Sequence, residues 1–153
     1  GAPEKNEYYK AVKEFAEKEK SACIAICARI EEELSGLEKE EKRVFLDDLG
    51  IETSGLEQII KAAYHLLGLR TFFTVGKPEC RAWTFRQGMK APQCAGVIHT
   101  DFEKGFIRAE VYSYADLMMY HTEQALKENG KIRLEGKEYV MQDGDIVFFR
   151  FNV

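Results

Sequence analysis

The sequence predicts an α+β protein in two parts: a mainly helical stretch over residues 1–69, then a small sheet with helical cover over residues 70–153. Three observations predict it. Apolar residues recur at helical spacing before Gly68 and at a spacing of two after it. Glycine turns punctuate the second part at strand-length intervals. A hydrophobic content of 45% over 153 residues supplies enough apolar material for a core.

In chain order, "EYYKAVKEFAEKEK" puts Tyr8, Val12, Phe15 and Ala16 on one stripe with charges elsewhere, which is a surface helix over 7–20. "ACIAICA" at 22–28 is short and uniformly apolar, as a strand buried on both faces of a parallel sheet is. "ARIEEELSGL", "EKEEKRVFLDDLG" and "SGLEQIIKAAYHLLG" read as three helices, with Gly50 as a C-terminal stop and Thr53 or Ser54 as an N-cap. Strands follow at "RTFFTVG", "ECRAWTFRQG", "FIRAEVYS", "KIRL", "EYVM" and "DIVFFRF". "APQCAGVIH" and "YADLMMYHTEQALKEN" are helices between them, and "HTDFEKG" is a Gly-terminated loop. "EGKE" and "QDGD" are tight turns around Gly136 and Asp143-Gly144. This order of elements suggests a small ubiquitin-like β-grasp domain.

Charge is uneven. Residues 1–69 carry 10 Lys+Arg against 15 Asp+Glu, and residues 70–153 carry 12 against 11, giving −5 and +1. The acidic front disfavours a broad nucleic-acid surface there, while the near-neutral back leaves room for a local basic face. The chain holds no run of eighteen apolar residues, so no membrane span is indicated, and its first thirty residues are not signal-like, which points to the cytoplasm.

Little in the sequence is arranged for chemistry. The chain contains "GKP", "GKI" and "GKE" but never Gly-Lys followed by Ser or Thr, so the phosphate- and magnesium-binding pattern of a P-loop is missing. Cys23, Cys27, Cys80 and Cys94 form no C-x-x-C pair and read as reduced, small hydrophobes. His65 reads as a structural histidine and His121 as a helix-surface residue. His99 stands beside a Thr100-Asp101 turn or cap. A Cys94–His99 couple is disfavoured because five helical residues turn the two side chains roughly 140° apart. Trp83, Phe85, Phe148, Phe149 and Phe151 read as core before base-stacking platform. Arg81, Arg86, Lys90, Lys104 and Arg108 are the cations around "HTDFEKGFIRAEV"; there Ile107, Ala109 and Val111 take the inner face and Arg108 and Glu110 point out. A few cations on such a face are what phosphate-backbone contact needs, and also what plain solvation gives.

The run "RTFFTVGKPECRAWTFRQGMKAPQCAGVIHTDFEKGFIRAEV", with "GKIRLEGKEYVMQDGDIVFFRFNV", closely resembles the C-terminal end of the YchF-type, Obg-like P-loop ATPases. "FLDDLGIETSGLEQIIKAAYHLLGL" and "ICARIEEELSGL" resemble the last strand and helices of that family's G domain. The resemblance implies a TGS domain of β-grasp fold over 70–153 and a C-terminal G-domain remnant over 1–69. The family's phosphate-binding loop, switch regions, coiled-coil insertion and Asn-x-x-Glu motif have no counterpart in these 153 residues. The resemblance therefore implies ATP or GTP with Mg for the intact family member and no cofactor for this chain. It leaves Cys27 and Ala28 as vestigial nucleotide-site positions. It also implies docking to ribosome, RNA or protein, for which Lys90, His99, Lys104 and Arg108 are the candidate contacts. Alternatively the catalytic loop lies outside this chain and the β-grasp unit is an intramolecular scaffold. Either way, a strand at 22–28 would have open edges, to be covered by a second copy of the chain or by residues outside this sequence.

Overall fold

The computed structural model describes residues 3–76 and 79–152. The chain divides into two compact units, Gly1–Tyr64 and His65–Val153.

The first unit is helical. A 3-10 turn at Pro3–Lys5 precedes α1 (Glu7–Lys18), α2 (Ala28–Ser35), α3 (Lys39–Asp48) and α4 (Gly55–Leu66), whose last two residues belong to the second unit. The caps explain the boundaries. The Asn6 side chain accepts from the Tyr8 and Tyr9 amides at the start of α1, and Ser54 Oγ accepts from the Glu57 amide in α4. Gly50 ends α3 at φ 68° with the paired Gly50 N–H to Asp47 and Ile51 N–H to Leu46 bonds of a Schellman turn.

Residues 22–27 do not form the expected strand. They have no ladder partner, and Ala28 already starts α2 behind the extended Cys27. Uniform apolarity gave the segment strand character, but a strand exists only when a neighbouring strand takes its N–H and C=O groups, and no strand does so among the described residues. The stripe on α1 is likewise open: Ala16 is buried, whereas Tyr8, Val12 and Phe15 are exposed.

The second unit is built on one five-stranded sheet in the order β2-β1-β5-β3-β4. The strands are β1 (Leu69–Val75), β2 (Cys80–Arg86), β3 (Phe106–Ser113), β4 (Arg133–Glu135) and β5 (Asp145–Phe151). The central pair β1/β5 is parallel, and β2, β3 and β4 join antiparallel. One face carries Phe72, Phe85, Ala109, Val111, Val147 and Phe149 against Ala91, Cys94 and Ala95 of α5 (Ala91–Ile98), which is the main core. The other face carries Tyr112 and Ile146 under Leu126, with Phe73, Leu117 and Tyr120 around them. Leu117 and Tyr120 come from α7 (Tyr114–Tyr120) and Leu126 from α8 (Glu123–Glu128), so that face is sealed at one end only.

Four expectations need correction here. "HTDFEKG" is a short helix, α6 (Thr100–Lys104), capped by His99. "YADLMMYHTEQALKEN" is two helices: His121 adopts φ 62° and stops α7, and Thr122 caps α8. "EYVM" is no strand; Val140 makes one isolated bridge to Lys90, through the Ala91 N–H to Tyr139 and Met141 N–H to Met89 bonds. Ile107 is exposed rather than inward, because the β3/β5 register slips by one between Phe106 and Arg108. A bulge puts two residues opposite one, so Phe106 and Ala109 both reach the core although they stand three apart.

Candidate docking surfaces

In the first unit, Cys27 is the extended N-cap of α2 with no side-chain capping bond, and Ala28 is the first helical residue. Cys27 borders a cleft of about 510 Å³ that Cys23, Ile30, Thr53 and Ser54 also line; Ala28 is not on its wall. The Glu31 carboxylate crosses this region to accept from the amides of Gly55, at 2.7 Å, and Leu56, at 3.2 Å. The N-terminus of α4 thus already holds an anion of the protein's own. Among the described residues no three His, Cys, Asp or Glu side chains converge as a metal site would require.

In the second unit the four candidate contacts do not form one patch. Lys90 is the N-cap of α5, where its amide donates to Gln93 Oε1 at 2.8 Å and its ammonium pairs with Glu138. His99 ends α5, about 13 Å away at 1.5 Å per residue. Its Nδ1 accepts from the Asp101 amide at 3.2 Å, which fixes the ring as a cap. Lys104 is the exposed last residue of α6. These three belong to the helical layer over the main core. Arg108 alternates with the core residue Ala109, so it points from the opposite face of the sheet.

That opposite face holds two residues missing from the expected set. Arg150 stands directly opposite Arg108 in the β3/β5 register, and Phe148, expected in the core, is 51% exposed. The Arg150 guanidinium lies 4.6 Å over the Phe148 ring and meets Glu110 Oε1 at 2.9 and 3.0 Å. The alternation in "DIVFFRF" puts Phe148 and Arg150 on one side and Val147 and Phe149 on the other. That signal was available in the sequence, whereas how far the helices reach over the sheet was not.

The reactive-looking groups in the interior are structural. Cys94 is fully buried, and burial first, then the Asp145 charge, pushes its thiol from an ordinary 9.0 up to about 12. It is therefore a neutral core side chain, and no Cys94–His99 couple forms, since His99 is exposed. Cys27 and Cys80, read as packed hydrophobes, are exposed instead. Asp145, 2% exposed, accepts from Tyr139 Oη at 2.8 Å and the Gln142 amide at 2.9 Å. Arg133 sits 3.6 Å from its other oxygen. Burial and this carboxylate push the Tyr139 phenol well above its ordinary value. A buried charge with three partners holds a turn together and does not need a substrate.

The family model YchF-GTPase_C, described as a protein of unknown function (DUF933), matches residues 69–152. The "Ribosome-binding ATPase YchF" of Bacillus subtilis (strain 168) is 58% identical over 151 residues, covering 99% of this chain and 41% of that protein. The protein of the same name from Escherichia coli O157:H7 is 50% identical over 150 residues, covering 98% and 41%. The solved structure of the Schizosaccharomyces pombe YchF GTPase superposes with a TM-score of 0.85 at 41% identity, covering 95% of this chain and 39% of that one. The chain thus spans about two fifths of the length of its relatives. With the family model matched through the whole sheet and the backbone shared with a solved member, the chain belongs to the YchF family.

Proposed function

We propose that this chain is the non-catalytic C-terminal binding and regulatory module of a YchF-like ATPase associated with translation, and that it docks to the ribosome in the cytoplasm. One observation carries the reading: 99% of the chain is 58% identical to a protein named for ribosome binding and ATPase activity, yet its 153 residues contain no Gly-Lys-Ser/Thr phosphate loop. In such folds nucleotide affinity comes mainly from phosphate and magnesium contacts. ATP or GTP with Mg therefore belongs to the part of the longer relatives that this chain does not span, and Cys27 and Ala28 are remnants beside it.

The sheet order β2-β1-β5-β3-β4, with a parallel central pair and α5 across one face, supports reading residues 70–153 as a β-grasp domain of TGS type. The four helices of residues 1–69 then represent the end of a G domain. On this reading Lys90, His99 and Lys104 offer contacts on the helical side and Arg108 on the sheet side. A scaffold-only role draws support from the near-neutral charge of the second part.

Co-sedimentation with purified bacterial ribosomes separates the two. Docking predicts that the chain pellets with ribosomes, more weakly as salt rises, and more weakly still for Lys90→Glu with Lys104→Glu. It also predicts no phosphate release and no Mg-ATP shift in melting temperature for this chain. Failure to pellet leaves the scaffold role; ATP turnover by the pure chain overturns the non-catalytic reading.

A further inference from the structure

Adjacent strands ordinarily keep like charges apart, because two cations directly opposite each other on one face destabilise a sheet. Here Arg108 and Arg150 are such a pair. Glu110 satisfies Arg150 alone, and among the described residues no acid pairs with Arg108. A packing rule broken at an exposed position, with the compensating anion absent, is where a partner's anion belongs.

The row beside the two arginines sets apolar side chains on either side of Glu110. In register across the strands, Cys80 of β2 stands opposite Val75 of β1, Phe148 of β5 opposite Glu110 of β3, and Glu110 opposite Leu134 of β4. Val75 comes alongside Phe148 two residues along the parallel ladder from the Phe73–Ile146 pair. Val75, Phe148 and Leu134 are 49%, 51% and 63% exposed. The band crosses all five strands, about 19 Å at strand spacing. Part of it is the floor of a groove of about 370 Å³ walled by Glu123 and Lys127 of α8.

From this we infer that the open end of the sheet is a docking groove for a segment of a protein partner, one that seats an apolar side chain on Val75 and Phe148 and places a neighbouring Asp or Glu carboxylate between Arg108 and Arg150. The composition selects protein over nucleic acid. Glu110 and Glu123 line the groove and hold Arg150 and Lys127 in ion pairs, so the groove offers no row of free cations for a phosphate backbone to follow. Aliphatic Val75 and Leu134 give bases nothing to stack on, and one side of the Phe148 ring is already taken by Arg150. After the Arg150–Glu110 and Lys127–Glu123 pairs are counted, Arg108 is left beside them without an acid among the described residues, which matches a single carboxylate.

This inference rests on the docking reading, and one experiment tells their failures apart. The 153-residue chain carrying the photo-crosslinker benzoylphenylalanine in place of exposed Leu134 is irradiated on purified bacterial ribosomes, and the pellet and the crosslinked species are read separately. The groove predicts crosslinks to ribosomal protein. It predicts binding about tenfold weaker with loss of the crosslink for Arg108→Glu, and near-normal binding for Arg108→Lys. Phe148→Ser, at a half-exposed site, weakens binding without unfolding the sheet. Crosslinks to ribosomal RNA or to a second copy of the chain, or unchanged binding in Arg108→Glu, overturn the groove while docking stands. A chain that never pellets overturns both.

Discussion

At Gly105 two stretches of backbone touch: its carbonyl accepts from the Asn152 amide at 2.9 Å, and a β-carbon there would collide with the Asn152 carbonyl oxygen. The sterics, not the torsion, demand glycine. Gly105→Ala is expected to destabilise the second unit by about 3 kcal/mol, since backbone cannot yield as a flexible side chain would; chemical denaturation measures it. Cys94 gives a pH dependence. Its folded pKa is raised from 9.0 to about 12, so between those values the unfolded chain has released a proton that the folded chain keeps. Stability therefore falls as pH rises through this window, and Tyr139, raised by burial and Asp145, steepens the fall above about 10. Cys94→Ala should show a shallower loss across pH 9–12 in melts at fixed ionic strength, at the cost of a small cavity; an unchanged slope would remove the thiol from this account.

Among the elements, helices and strands were legible wherever a period was long and its ends were capped. β3 occupies the residues expected of it, and Asn6, Ser54 and Gly50 mark helix ends as their chemistry implies. What stayed hidden depends on neighbours. The bulge at Ile107 is invisible to alternation because it is set by the register against β5. The stop at His121 needs a left-handed residue that the sequence does not advertise, and Val140 pairs with a loop instead of a sheet. The candidate site was half legible: its cations are the expected types, but the sheet sends Arg108 away from Lys90, His99 and Lys104 and toward Arg150. The stretch at 22–27 makes the sharpest test at this scale. Lacking ladder bonds, its amides should exchange with solvent within seconds to minutes while those of β5 stay protected. Protection at 22–27 that grows with protein concentration would mean that a second copy supplies the missing strand.

Across the whole chain, burial is lopsided. Ala16 and Leu34 are the buried apolar side chains described in the first unit; every other one described belongs to the second. Long apolar side chains on α1 and α4, such as Tyr8, Phe15, Leu56 and Ile60, stand exposed, more open apolar surface than a self-contained unit usually leaves. The second unit, which holds the rest of the described core, differs in one more way. Its first and last strands, β1 and β5, lie side by side and point the same way at the middle of the sheet. Tension applied at the two ends of that unit must slide them past each other lengthwise, loading all the shared bonds together instead of peeling them one by one. The unit should therefore resist pulling from its two ends better than a sheet whose terminal strands can be unzipped.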